Sequence, residues 1–327
     1  MKEYDIRPAH IFEEYLKLSA QDADICFRST DKTNISCPAC GADHSSYEFE
    51  KNGFAYSTCQ ECGTLYQTPR PSKQAFEKFY HQSKSSQYWA EVFFPSVAEK
   101  RRDKIFVPRV ERLISLCEQR NLNPETVMDV GAGYGIFLDE WRKHKPTDRL
   151  IAVEPSLQLS EICRQKDIEV IPSIVEKVIH LDGMVDLAVC FEVLEHVYDA
   201  LEFILQIKRM LKSGGDLLIS TLGVDGFDIQ VLWDKSKSVS PPHHINFLSI
   251  KGFQLLFERA GFKDIQILTP GVLDVDIVKN SLRDESDLLR SNRFLNSILS
   301  DEKIANSFQN FLVENKMSSH VWVLARK

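Results

Sequence analysis

The stretch Val127-Met128-Asp129-Val130-Gly131-Ala132-Gly133-Tyr134-Gly135 decides how this chain folds. A short apolar run ends in three closely spaced glycines, and an amphipathic pattern starts at Ile136. A buried parallel strand passing through a tight turn into a helix has this pattern. Small residues let such a turn come close to a ligand, and the helix N-terminus offers N–H groups that have no intrahelical partner. The dinucleotide fingerprint GxGxxG would place its third glycine at position 136. Ile136 stands there, and the third glycine is Gly135. Asp129 precedes the loop, where an anion suits a cationic ligand better than a pyrophosphate. Glu154 ends the next apolar run, and a carboxylate at that position can accept hydrogen bonds from ribose hydroxyls.

Outward from this loop, short apolar runs alternate with amphipathic helices, the pattern of a parallel α/β sheet. Strands are expected at Val127–Val130, Leu150–Val153, Glu169–Ile171, Asp186–Cys190, Asp216–Ser220, Lys263–Leu268 and His320–Ala325. Leu201–Leu211 has apolar residues at helical spacing. Ser249 is placed to cap a helix over Lys251–Ala260, which Gly261 closes. A helical insertion is expected at about 278–316, before the last strand. Upstream, residues 9–27 and Phe76 to Cys117 carry helical patterns. The expected division is an N-terminal module over 1–70, a helical connector or lid over 71–120 and an α/β domain over 121–327.

These segments resemble class I S-adenosylmethionine-dependent methyltransferases. Asp129 to Gly135 is similar to that family's first motif and Val153-Glu154-Pro155 to its second. Asp186 to Glu192 is similar to its fourth, and Leu211-Lys212-Ser213-Gly214-Gly215 to the turn before its fifth strand. The resemblance implies a Rossmann-like seven-stranded sheet. It implies Asp129, Gly131, Ala132 and Gly133 around the methionine part of the cofactor, and Glu154 with Pro155 at the ribose. Ser173 and Ile174 would lie near the adenine, and Phe191 and Glu192 near the transferable methyl.

Glu192-Val193-Leu194-Glu195-His196 follows the fourth strand, where ligands of a parallel sheet bind. If a helix begins here, Glu192, Glu195 and His196 share one face. Such a set suits a divalent cation, or a general base with its orienting group. His243-His244 follows Pro241-Pro242 in the loop after the fifth strand. His243 or His244 is the candidate base, with Glu192 or Glu195 as its partner. The alternative is a second metal held by Glu192, Glu195, His196 and His244. The set resembles the Glu-x-x-Glu-His segment of ubiquinone-biosynthesis O-methyltransferases and small-RNA 2′-O-methyltransferases, in which a metal binds the acceptor oxygens. The same Leu-Glu-His also occurs in class I methyltransferases without a metal.

Four of the eight cysteines form two copies of one pattern, Cys37-Pro38-Ala39-Cys40-Gly41 and Cys59-Gln60-Glu61-Cys62-Gly63. Each CxxC places two thiolates on one knuckle. Two knuckles make a closed four-sulfur site suited to structural zinc, as in a zinc ribbon. Cys26, Cys117, Cys163 and Cys190 lie among apolar residues and are expected in the core.

Tyr88, Trp89, Phe93 and Phe94 could cover a ligand, though aromatics at helical spacing usually form core. Arg101, Arg102, Lys104 and Arg109 could meet a diphosphate, though a solvated helix face is the commoner use. The 327 residues are 43% hydrophobic and 27% charged, enough for a large core. No membrane span or secretory signal is visible, so the expected location is cytoplasmic. The net charge of -7 disfavours a nucleic-acid partner.

The CxxCG pairs, Tyr88-Trp89, Phe247 and Ala260-Gly261-Phe262 resemble zinc-module methyltransferases of bacterial sugar and surface-polysaccharide pathways. That resemblance implies methylation of a hydroxyl on a sugar, nucleotide-sugar or glycan. The alternatives are a metal-dependent RNA 2′-O-methyltransferase, and a degenerate methyltransferase that binds a partner through its zinc module.

Overall fold

The computed structural model describes residues 1–145, 147, 149–284 and 292–327. Seven strands form one mixed sheet: β1 (Thr126–Val130), β2 (Arg149–Val153), β3 (Glu169–Ile171), β4 (Val185–Phe191), β5 (Leu211–Leu222), β6 (Lys263–Leu268) and β7 (His320–Arg326). Their order across the sheet is β6-β7-β5-β4-β1-β2-β3. β1 is central and runs parallel to both neighbours, with Met128 opposite Ile151 on one side and Ala188 on the other. The chain steps outward from β1 through β2 to β3, then returns to place β4 on the other side of β1. The crevice at the C-terminal ends of β1 and β4 is therefore the topological switch point, where open α/β sheets bind ligands. Val127, Met128, Ile151, Leu187, Ala188, Leu217 and Leu218 are fully buried, as strands covered on both faces require.

All seven expected strands are present. β5 begins earlier than its apolar run, because the Leu211–Gly215 turn joins it through an irregular register between Leu211 and Asp216. The helices Ala200–Met210 and Ile250–Arg259 also form. Ser249 caps the second of these, its Oγ accepting from the Gly252 N–H at 2.8 Å.

The chain divides into two compact units, along lines other than the expected three segments. The first comprises Met1–Val97, Leu222–Phe253 and Ile267–Trp322; the second comprises Ala98–Thr221, Gln254–Gln266 and Val323–Lys327. Strand pairing explains why Leu222–Phe253 joins the N-terminal residues. Ser45–Lys51, Phe54–Cys59 and Leu65–Gln67 form an antiparallel ribbon, and Asn246–Phe247 adds to it as a fourth strand. Arg70 is buried at this seam, donating to the Asn246 side chain at 2.8 Å and to the Ile245 carbonyl.

In the same unit, Phe12, Tyr15, Phe93 and Val97 form an apolar cluster, with Tyr88 and Trp89 packed against it. Trp89 stacks on Phe93 with centroids 4.2 Å apart. The aromatic segment thus packs as core in this unit. The expected helical insertion appears as Asp274–Asp284, Arg293–Ser300 and Glu302–Glu314. The part of it over 285–291 lies outside the described residues. Among the described residues no helix is long and apolar enough to cross a membrane.

Candidate functional site

In the second unit the glycine loop lies at the C-terminal end of β1. Gly131, Gly133 and Gly135 have φ of 76°, 56° and 66°, values that favour glycine. A Cβ on Gly131 would sit 2.6 Å from Val193 Cγ2, whereas one on Gly133 would meet nothing within 4 Å. The loop therefore packs tightly on one side and faces open space on the other. Glu154 shapes it, accepting from the Gly133 N–H at 2.8 Å and the Ser156 N–H at 2.9 Å. Burial holds the Glu154 carboxyl above its ordinary range, while those two donors pull it back. Asp129 is buried, and its Oδ1 has no hydrogen-bond partner among the described residues. Burial raises its carboxyl to about 8, against the lowering influence of Arg109.

An orphaned buried carboxylate oxygen beside a loop that opens onto space fits a cationic ligand such as S-adenosylmethionine. Ala132 is half-buried in the loop, Pro155 is exposed beyond β2, and Ser173 and Ile174 are half-buried beyond β3.

Phe191 ends β4, and Glu192 follows it in the left-handed region at φ 56°. The expected helix does not form at this point. Leu194–His196 is a single 3₁₀ turn, so Glu192, Glu195 and His196 do not share a helical face. Instead the end of β5 holds the carboxylates. Ser220 Oγ donates to Glu192 Oε1 at 2.6 Å, and Thr221 Oγ1 donates to Glu195 Oε2 at 2.7 Å. The Arg109 guanidinium lies 3.4 Å from Glu192 Oε1 and 4.3 Å over the centroid of the Phe191 ring. Burial, aided by the charge of Glu192, raises the Glu195 carboxyl to about 8. His196 is half-buried beside this pair in sequence.

Sequence reasoning missed the roles of Arg109, Ser220 and Thr221. Arg109 is 6% exposed, so it does not lie on a solvated helix face. Its helical phase carried the signal, because Val110, Leu113, Leu116 and Cys117 of the same helix are also buried. Ser220 and Thr221 stand at the C-terminal end of a central strand, where polar residues face ligands.

The histidine pair lies in the first unit, and its members have different surroundings. His243 is buried, with Tyr15, Phe79 and Tyr80 around its ring. Its Nε2 lies 2.8 Å from Ser85 Oγ. Burial lowers its pKa to about 3, so the ring is neutral at physiological pH. His244 is half-buried, and its Nδ1 lies 2.5 Å from the Ser238 carbonyl oxygen. That carbonyl can only accept, so Nδ1 carries the hydrogen and Nε2 is the basic nitrogen. His320 accepts at Nε2 from the Trp322 indole at 2.9 Å.

The ribbon brings Cys37, Cys40, Cys59 and Cys62 together, with all four sulfurs within 4.8 Å of one another. The Cys37–Cys62 and Cys40–Cys59 separations are 3.6 and 3.5 Å, far beyond a disulfide bond. Each knuckle is closed by backbone hydrogen bonds, Gly41 N–H to Cys37 O and Gly63 N–H to Cys59 O, both 2.9 Å. Four converging thiols on two knuckles are a donor set that can hold a tetrahedral metal. Of the other cysteines, Cys117, Cys163 and Cys190 are buried as expected, whereas Cys26 is half-exposed on a helix.

Comparison with known proteins agrees with this geometry. A family profile described as "Methyltransferase domain" matches residues 98–267, just over half of the chain. Among curated proteins, the tRNA U34 carboxymethyltransferase of Vibrio vulnificus is 28% identical over 182 residues, covering 51% of this chain and 55% of that protein. That of Vibrio parahaemolyticus is 29% identical with the same coverage. The chain thus spans about half the length of the curated relatives it matches. Among solved structures, the plantazolicin methyltransferase BpumL in complex with SAH is 13% identical with a TM-score of 0.51, covering 78% of this chain and 95% of that one. Its counterpart BamL is 12% identical with a TM-score of 0.50, covering 77% and 94%. These structures share the fold. The chain therefore carries an S-adenosylmethionine-dependent methyltransferase domain with the class I α/β fold and belongs to the methyltransferase-domain family.

Proposed function

We propose that this protein transfers a methyl group from S-adenosylmethionine to a hydroxyl of a sugar or nucleotide-sugar. The observation that carries the reading is the pair of half-buried Glu192 and buried Glu195, held by Ser220, Thr221 and Arg109 at strand ends beside the one bearing Asp129. When bound, the cofactor supplies an electrophilic sulfonium methyl. Asp129, whose carboxyl a bound cation would draw back toward its charged form, offers the counter-charge for the cationic group, the Gly131–Gly133 turn gives close backbone approach, and Glu154 accepts from the ribose with its remaining lone pairs. Pro155, Ser173, Ile174 and Phe191 complete the proposed cofactor site.

An alcohol is a poor nucleophile until its proton is removed. His244 is the proposed base, because its tautomer leaves Nε2 as the proton acceptor. Glu192 and Glu195 are proposed to orient the acceptor beside the cofactor. The two carboxylates take hydrogen bonds from Ser220, Thr221 and Arg109, which supports their use as fixed orienting groups. His243, buried and neutral, is assigned to holding the loop.

The cysteine cluster is proposed to hold one structural zinc ion. Among the described residues all eight cysteines are unbridged, which supports a reducing, cytoplasmic location. The sugar reading rests on the combination of a four-cysteine ribbon with this fold, and the net charge of -7 supports it against a polyanionic acceptor.

A second reading is methylation of RNA, favoured by the names of the curated relatives. The test is to incubate the protein with labelled S-adenosylmethionine against nucleotide-sugars, transfer RNA and short RNAs. Label on nucleotide-sugars is expected, and label confined to RNA would establish the second reading.

A further inference from the structure

We infer that Asp22 and Ser85 are positioning residues that lock the tautomer of His243 and thereby fix the His243-His244 loop. Asp22, Ser85 and His243 are each nine-tenths or more buried in the same unit. Ser85 Oγ lies 2.6 Å from Asp22 Oδ2, and the Ser85 N–H donates to the same oxygen at 2.8 Å. The Lys84 N–H donates to Asp22 Oδ1 at 3.2 Å. Taking these donors, Asp22 acts as a carboxylate and has no hydrogen to give. The single Ser85 hydroxyl hydrogen therefore points to Asp22, and Ser85 Oγ can only accept from His243. His243 must carry its hydrogen on Nε2, with Nδ1 as the acceptor nitrogen.

The order carboxylate–hydroxyl–imidazole also shows that Ser85 is no activated nucleophile, because its proton is already committed to Asp22 rather than to the ring. The chain begins on the helix Ala9–Phe27, passes through the short helix Lys84–Tyr88 and ends beside His244. Tyr56 fastens the next residue, its hydroxyl donating to the His244 carbonyl at 2.6 Å. The two histidines thus have opposite tautomers, Nε2–H on His243 and Nδ1–H on His244, each set by a different part of the fold.

The catalytic half of this inference rests on the proposed methyl transfer; the tautomer does not. The experiment is ¹⁵N NMR of histidine-labelled full-length protein, with kinetics on the same samples. Wild-type protein should show His243 as the Nε2–H tautomer. Ser85→Ala should convert it to a mixture and lower kcat by about tenfold or more, with KM for S-adenosylmethionine unchanged. Ser83→Ala is the control. Ser83 caps the same short helix by accepting from the Ser86 N–H at 3.3 Å, outside the chain of bonds. Its variant should leave both tautomer and kcat as in wild type. An Nδ1–H tautomer in wild type, or an unchanged spectrum in Ser85→Ala, overturns the hydrogen-bond chain. A changed spectrum with unchanged kcat overturns the positioning role. A fixed Nε2–H tautomer in a protein that methylates no hydroxyl would count against the proposed function alone.

Discussion

Thr221 Oγ1 donates to Glu195 Oε2 at 2.7 Å, and this bond opposes two influences that drive the Glu195 carboxyl upward, burial and the charge of Glu192. The net position is about 8. If Glu195 acts as a carboxylate, kcat/KM should rise with pH and level off above about 8. Thr221→Val removes the stabilising donor and should move the midpoint to higher pH. Glu192→Gln removes the like charge and should move it lower. A pH–rate profile of the three proteins checks the signs, and coincident profiles would show that Glu195 does not titrate in turnover.

Gly131 and Val193 set a second constraint. An added Cβ at Gly131 would meet Val193 Cγ2 at 2.6 Å, and its φ of 76° disfavours any other residue. Gly131→Ala should cost about 1–3 kcal/mol of stability and weaken binding of S-adenosylhomocysteine. Val193→Ala in the same chain removes the clash but not the backbone strain, so it should recover part of the loss. Thermal unfolding and calorimetry on the single and double variants check this; full recovery would show that the left-handed φ carries no cost.

The sheet was legible because each of its strands has a short apolar run with a turn signal after it. Lys263–Leu268 and Glu169–Ile171 are bounded as their composition indicates. The glycine loop was legible because its backbone needs small residues. Two things were not. The segment Glu192–His196 has helical spacing, yet the left-handed φ at Glu192 and the hydrogen bonds from Ser220 and Thr221 make it a 3₁₀ turn. Those bonds come from a strand distant in sequence, which local pattern cannot report. Asn246–Phe247 is too short to show period-two alternation, so its place in the cysteine ribbon was invisible. Asp22 and Ser85 carried no motif at all.

Buried carboxyls also fix how stability varies with pH. Asp274 takes hydrogen bonds from Ser318 Oγ, the Ser319 N–H and Gln309 Nε2, between 2.6 and 2.7 Å. Burial first, and then the neighbouring Asp274, raise the Asp228 carboxyl above its ordinary range. Burial does the same at Asp129 and Glu195, each to about 8. Above the ordinary carboxylate range the unfolded chain has released these protons and the folded chain retains them. Stability contributed this way falls as pH rises from about 4 toward 8. Asp228→Asn should flatten the dependence and raise the melting temperature at pH 8 more than at pH 5. An equal change at both values would mean that Asp228 does not titrate in this window.

The last prediction concerns the cysteines and the helix beyond them. Ser249 Oγ donates to the Cys62 carbonyl, and the Ser249 N–H points to Thr64 Oγ1 at 3.4 Å. Lys251 Nζ donates to the Glu61 carbonyl at 2.6 Å. Gly252 packs so closely that a Cβ would meet Thr64 Oγ1 at 2.3 Å. The start of the helix Ile250–Arg259 is therefore built onto the second knuckle, and the strand before it, Asn246–Phe247, onto the ribbon. A zinc ion bound to four thiolates would hold both knuckles, and a ribbon this small has little core of its own. Elemental analysis should find one zinc per chain. Cys62→Ser should lose the metal and increase amide exchange over 37–67 and 244–253. Binding of S-adenosylhomocysteine should persist, because Asp129, Gly131, Gly133 and Glu154 lie in the other unit. Metal-free protein with wild-type exchange over both segments would show that the ribbon stands without zinc, and loss of S-adenosylhomocysteine binding would show that the two units do not fold independently.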